Sequence, residues 1–264
     1  MLNKDILLSR LSLLSSLVKR DLSTKYKGTA FGFAWSIITP LFMLLVYSTV
    51  FLVVFKAKWN LPNSEEADYA LMLFVGLLCH ICIAEVLASS SSIIINNVNL
   101  VKKVVFPVFL LPINTVCTAL INFCIGLALC FVYAFIRGYI TNWTGFLYLP
   151  YVVFVYFITL ISISYLFSII GVLFRDINQV IPVLSTILLF TSTVFFSIES
   201  APKELVPLLY LNPISIIADT LRDIIYGISL NVFFLSKQLF VSTLILIVTW
   251  ILFKKLSRSF ADII

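Results

Sequence analysis

Apolar residues in this 264-residue chain are gathered into long blocks, with charge confined to the gaps between them. Runs with little or no charge lie at 31–55, 69–95, 104–136, 138–174, 177–198 and 238–253. The first, FGFAWSIITPLFMLLVYSTVFLVVF, holds 25 uncharged residues. At ~1.5 Å per residue it crosses a hydrocarbon core of ~30 Å with some length left for tilt. Six spans are therefore predicted. In the fourth run Pro150 stands near the start, which puts the span in the later part, after a short loop at 142–145. The sixth span starts before residue 238 if Lys237 snorkels to the interface.

Two segments follow a different pattern. Residues 205–221 are apolar but short, carry Pro207 and Pro213, and run into Asp219, Arg222 and Asp223. This pattern predicts a re-entrant or interfacial hairpin. Broken helices at membrane depth persist where protein buries them or where they line an aqueous cavity, so the hairpin points to a transport path. The i, i+3, i+4 spacing of its charges reads as a local ion pair capping the hairpin. Ahead of the first run, Leu7, Leu11, Leu14, Val18 and Leu22 form a stripe, with Ser12, Ser15, Lys19 and Ser23 off it. An amphipathic helix lying on the membrane surface is expected, either as a plain anchor or with its polar face docked on a partner.

Composition agrees with a membrane protein. The chain is 61% hydrophobic and 11% charged, with mean hydropathy +1.12, against about 25% charged residues in soluble domains. No stretch of lowered hydropathy is long enough for a soluble domain. One membrane domain over 1–264 is expected, made of a surface segment at 1–30, the spans at 31–254 and a tail at 255–264. The N-terminal stretch is too short in its apolar part and too serine-rich for a cleaved signal. With six spans and both ends on one side, that side holds 12 of the 18 basic residues and the other holds 6. The positive-inside rule then puts both termini in the cytoplasm. Anionic lipid headgroups account for the net charge of +6, and nucleic acid need not be invoked.

Enzymatic chemistry finds little purchase. The chain has no G-x-x-x-x-G-K-[ST] loop, no H-E-x-x-H and no G-x-S-x-G, and His80 is its single histidine. ATP hydrolysis by the P-loop route is excluded, so an ATP-driven process would need a second subunit. The five cysteines are odd in number and sit in apolar runs, where cysteine packs as a small hydrophobe. Cys79-x-x-Cys82 with His80 lacks a second ligand pair, so no metal or other cofactor is expected in this chain. Glu85 is the one acidic residue well inside a span, with no basic partner evident. It is either a proton- or ion-coupling group, a buried packing group or a contact near a gate. Gly28-x-x-x-Gly32 is either a helix-dimerisation pair or a tight turn entering the membrane.

Between spans two and three, INNVNLVKKVVFPVFLLP interrupts membranous sequence with asparagines and two lysines before Pro107. It reads as a short helix projecting into the cytosol or as a plain basic anchor. Tyr47, Phe51 and Phe55 on the first span and Phe190, Phe195 and Phe196 on the fifth are candidates for lining the transport path. In a chain with 24 phenylalanines, lipid-facing or core packing is the competing reading of each.

Three blocks carry a resemblance: KRDLSTKYKGTAFGFAWSIITPLFMLLVY at 19–47, NVNLVKKVVFPVFLLPI at 97–113, and 173–227, which opens LFRDINQV and closes LNPISIIADTLRDIIYG. Together they resemble the membrane-spanning subunit of ABC-2 type exporters, in particular the polysaccharide and O-antigen export permeases. The resemblance implies an all-α polytopic fold of six spans, a homodimer, and two copies of a cytosolic ATPase subunit that binds ATP and Mg. It implies a coupling helix at 97–106, with Asn99, Leu100, Lys102 and Lys103 in contact with the ATPase, the N-terminal helix at the same interface, and Arg175 with Asp176 as a second contact. Tyr26, Lys27, Gly28, Gly32 and Phe33 would form a cytoplasmic gate for a lipid-linked glycan. Residues 199–227 would be an extracytoplasmic re-entrant hairpin near the channel exit. The expected activity is export of an undecaprenyl-linked polysaccharide such as O-antigen across the bacterial inner membrane, as in lipopolysaccharide biosynthesis. A teichoic acid, a capsule polymer or a small hydrophobic drug is the alternative cargo. An ion-coupled carrier rests on Glu85 alone, and a membrane enzyme on Asp219, Arg222 and Asp223.

Overall fold

The computed structural model describes residues 4–50, 59–61, 64–103, 106–140, 142–228, 230–257 and 259–260. Ten α-helices are described: α1 (Lys4–Tyr26), α2 (Trp35–Ser48), α3 (Tyr69–Asn96), α4 (Val98–Val101), α5 (Leu110–Ile136), α6 (Leu149–Leu173), α7 (Ile177–Phe190), α8 (Val206–Leu211), α9 (Pro213–Tyr226) and α10 (Val232–Leu256). The all-α expectation needs one amendment. Strands β1 (Trp59–Leu61) and β2 (Ser64–Ala67) pair antiparallel in a short hairpin between α2 and α3.

Four helical segments are long and apolar enough to cross a membrane: Tyr69–Asn96, Leu110–Ile136, Thr144–Leu173 and Val232–Leu256. The chain is a polytopic membrane protein. α3 is the central helix, with 78% of its most apolar window buried, while α10 is peripheral at 17% and offers most of its surface to lipid. α3 contacts α2, α5, α6, α7 and α9, and α10 leans on α6.

Lipid tails solvate leucine as well as a neighbouring helix does, so close backbone packing and polar contacts must hold such a bundle together. Both are present. A Cβ at Gly171 on α6 would run into the Ser91 carbonyl oxygen on α3, so these helices touch backbone to backbone. Starting from the adjacent Ser90, hydroxyl contacts of 2.7–3.3 Å among Ser90, Thr115 and Ser164 join α3, α5 and α6, beside the Pro112 carbonyl that accepts from Thr115 and Ser164. Thr159 and Ser242 pair at 2.9 Å between α6 and α10.

The ends of the long helices follow local chemistry. Asp68 caps α3, accepting from the Ala70 and Leu71 amides. The 3-10 turn Thr144–Tyr148 with Pro150 opens α6, as the proline placement predicts. α10 starts at Val232, so Lys237 lies within the helix with its side chain exposed.

The remaining apolar runs depart from expectation. α7 covers 14 residues, about 21 Å at ~1.5 Å per residue, and ends at Phe190 well before residue 198. Its end contains neither glycine nor proline. Asn212 donates instead to the Leu188 carbonyl and to Thr191 Oγ1, and Ser192 Oγ donates to the Leu189 carbonyl, so side chains satisfy the helix's last carbonyls. α2 is also 14 residues, preceded by the 3-10 turn Gly32–Ala34. Each of these short helices carries an internal proline, Pro40 or Pro182. Each also buries little: Ser36 and Leu44 in α2, and Ile181 in α7. Phe51 and Phe55 lie outside the described residues.

Residues 205–226 form two helices that turn at Asn212 and Pro213. Asn212 Oδ1 accepts from the Ile214 amide, Pro213 opens α9 where no amide is needed, and Gly227 closes it at φ 66°.

Candidate functional site

α4 is a single turn between α3 and α5. The Asn97 amide donates to the Ile93 carbonyl at 2.9 Å, fixing this turn to the end of α3. Val101 is buried and Leu100 half-buried, while Asn99, Lys102 and Lys103 are exposed. The turn is thus an anchored knob with an amide and two ammonium groups on its outer side. Arg175 and Asp176, also exposed, occupy the turn between α6 and α7. Ser91 Oγ donates to Asn178 Oδ1 at 2.6 Å, so this turn stands at the same end of the bundle as α4.

α1 lies along α5. The face it presents overlaps the leucine stripe but is turned toward Leu17: Leu14, Val18 and Leu22 of the stripe are half-buried and Ser12, Ser15, Lys19 and Ser23 are exposed, as expected, while Leu17 is buried, Leu13 and Asp21 are half-buried, and Leu11 is exposed. Two polar links explain the rotation. Asn114 on α5 donates to Asp21, and Lys25 Nζ contacts Glu85 Oε1 on α3 at 2.8 Å. Asp21 and Lys25 are four residues apart and share one helix face. Glu85 therefore has a basic partner, supplied from 60 residues away, which no reading of its own span reveals.

After α1 the chain turns twice, at Gly28 (φ 82°) and Gly32 (φ 53°), a backbone region that disfavours L side chains. Of the two readings of this glycine pair, the turn holds. The turns bring Phe33 back onto Tyr26, their rings edge to face at 5.8 Å. Both rings, with Gly32, Lys19 and Cys117, line a cavity of about 730 Å³ between α1 and the start of α2. Tyr26, Gly32 and Phe33 are thus brought together, whereas Lys27 and Gly28 are exposed beside the cavity and do not line it.

Of the aromatic candidates, Phe190 ends α7 and stacks on Phe195 at 5.7 Å. Phe195 and Phe196 follow the helix break and so lie beyond the end of α7. Tyr47 is half-buried on α2 against the core. His80 contacts the Ser185 carbonyl and hydroxyl at 3.1 Å, an interior histidine with its partners. Cys79 and Cys82 are buried, and among the described residues no group of three or more His, Cys, Asp or Glu lies together.

At the end opposite α4, Arg222 is far more than part of a local cap. Its side chain is 3% exposed. Nε and Nη2 donate to the Met72 carbonyl at 2.9 and 2.8 Å, Nη1 to the Thr193 carbonyl and to Asp219 Oδ1 at 2.8 and 2.7 Å, and Nη2 to the Val194 carbonyl at 3.3 Å. One guanidinium therefore pins the segment after α7 to α3 and α9. The sequence carried a signal for it, because Arg222 falls in the buried stripe of α9 with Ala218, Leu221 and Ile225. Nearby, buried Asp68 accepts from Tyr133 at 2.8 Å, and its amide donates to the Tyr226 hydroxyl at 3.0 Å. Burial pushes the Tyr226 phenol up, so it stays neutral.

The arrangement offers an anchored polar knob, an apolar cavity beside a breakable ion pair, and a rigid far end. Similarity to known proteins agrees. The ABC-2 type transporter family matches residues 12–226. An O-antigen export system permease protein RfbA of Myxococcus xanthus is 32% identical over 216 residues, 81% of this chain and 80% of that protein. Two proteins of the same name from Klebsiella pneumoniae are 23% and 24% identical over 252 residues, 96% of this chain and 95% of each. The chain belongs to the ABC-2 type transporter membrane family.

Proposed function

We propose that this chain is the membrane subunit of an ATP-driven exporter that carries a lipid-linked polysaccharide, such as O-antigen, across a bacterial inner membrane. It works as a homodimer with a separate ATPase subunit that binds ATP and Mg. The observation that carries this reading is the likeness, over most of the chain, to three permeases named for O-antigen export.

The geometry supports each part. α2 and α7 belong to spans one and five of six. Their exposed apolar positions, including Phe42, Leu45, Val183 and Ile187, suit a wall shared with a second copy and with the channel. The α4 knob suits a cleft on the ATPase, with Asn99, Leu100, Lys102 and Lys103 in contact and Arg175 and Asp176 as a second contact. These turns then face the cytoplasm, as do both termini, and α8 with α9 forms the re-entrant hairpin on the outer side. Closure of the ATPase pair on ATP displaces α4 and α1 together. Because Lys25 joins α1 to α3, the same displacement acts on the cavity at Tyr26, Gly32 and Phe33, where the lipid-linked end of the glycan enters. The polymer then passes Tyr47, Phe51 and Phe55, and Phe190, Phe195 and Phe196, which hold no single sugar strongly.

The test is reconstitution with the ATPase subunit in vesicles. Export is expected to require ATP and that subunit. A Lys102→Ala, Lys103→Ala variant is expected to lose association with the ATPase and export together while remaining folded. Export without ATP, or full association of this variant, overturns the respective assignment.

A further inference from the structure

At the end opposite α4, α8, α9 and the start of α10 enclose a second cavity of about 270 Å³. Its wall differs in kind from that of the larger cavity. Asp219 and Asp223 stand on successive turns of α9, with Ser197 and Asn231 on the flanking segments. Tyr210 and Phe234 complete it, their rings stacked at 4.6 Å and 16°. None of these six belongs to the aromatic set assigned to the channel.

Two features speak for a ligand. Carboxylates, an amide and a hydroxyl gathered against an aromatic wall in a membrane protein persist where they meet water or a polar partner. Asn231 stands at the N-cap position of α10, where asparagine ordinarily accepts from the helix's first amides, yet its side chain makes no capping bond. It lines the cavity instead. The cavity lies below the usual size of a drug-sized site and admits one small polar molecule.

We infer that this cavity binds a single sugar ring of the polymer as it leaves the membrane domain. The inference rests on the export reading above and names a subsite within it. A pyranose presents hydroxyl donors at its rim and C–H groups on its faces. Carboxylates and the Asn231 carbonyl oxygen are acceptors for the first, and the aromatic pair is the apolar surface for the second. Asp219, bonded to Arg222 and Thr193, is held in place. The channel aromatics tolerate sliding; this cavity adds directed acceptors and so gives the emerging end a resting position.

The test uses the assembled exporter in lipid nanodiscs, with the methyl glycosides of glucose, galactose, mannose, rhamnose and N-acetylglucosamine as probes, read by saturation-transfer NMR. Transfer to the ring C–H protons of at least one glycoside is expected in the wild type. Affinity for it is expected to fall roughly five- to tenfold in Phe234→Ala and in Asp223→Asn. Phe240→Ala, exposed on α10, serves as a control and is expected to leave it unchanged. Each variant is first checked for assembly with the ATPase, and Asn231→Ala replaces any that fails to assemble. No transfer from any glycoside, or equal affinity in the wild type and the assembled variants, overturns the inference. Failure of the export reading registers separately, as a wild-type gene that restores no surface polysaccharide to a deletion strain.

Discussion

Two ion pairs stand at different levels of the same bundle, one between α1 and α3 and one within α9, and they are built differently. Lys25 and Glu85 meet at 2.8 Å with 42% and 25% of their side chains exposed, and Asn122 approaches the same carboxylate oxygen at 3.5 Å. Arg222 meets Asp219 at 2.7 Å with 3% of the arginine exposed, and three backbone carbonyls share its guanidinium. Pulling Lys25 away leaves two partly hydrated charges, an inexpensive change. Pulling Arg222 away leaves the carbonyls of the buried Thr193 and Val194 without that donor. The first pair is suited to breaking during a transport cycle and the second to fixing a reference around which other parts move.

The largest effect should come from Arg222→Met, which keeps length and apolar stem but removes every donor. Loss of one partner of a buried pair costs about 3–5 kcal/mol, so little folded protein is expected in detergent by size-exclusion chromatography. Near-wild-type recovery would show that the far end is not the fixed one. Next, Gly171→Ala tests how far rigidity extends along α3. The methyl group meets the Ser91 carbonyl and forces α6 outward, an overpacking effect of about 1–3 kcal/mol that should lower the unfolding midpoint. The smallest loss of stability is expected for Lys25→Ala, within ~1 kcal/mol as for other partly exposed pairs. Its signature should be functional instead. ATP hydrolysis is expected to continue while export falls, because α1 no longer moves with α3. A Lys25→Ala variant that exports at the wild-type rate would remove the pair from the cycle.

Much of this architecture was legible in the chain. α3, α5, α6 and α10 follow from hydropathy length alone, and Pro150, Pro213 and Gly227 mark boundaries where their backbone restrictions require them. The α4 turn was legible because Asn97, Asn99, Lys102 and Lys103 interrupt apolar sequence. The end of α7 was not, because its break rests on Asn212, 24 residues downstream of Leu188, whose carbonyl it satisfies. The rotation of α1 was not either. Leucine spacing reports a helix's apolar face in isolation, while Asp21 and Lys25 find partners on α5 and α3 that only the folded chain supplies. Arg222 falls between these cases: its place in the buried stripe of α9 was visible, but the carbonyls that make burial tolerable were not.

The turn that follows α1 has a stereochemical consequence. Nothing stands within 4 Å of where a Cβ would be at Gly28, which sits at φ 82°, or at Gly32, at φ 53°. Room is therefore not what excludes a side chain there; handedness is. A D-alanine at Gly28 would occupy its own preferred basin, while L-alanine would be strained by about 1–2 kcal/mol. Semisynthesis with the mirror-image residue would thus preserve the bend while removing glycine's looseness. It would separate a connector that must only be bent from one that must also swivel.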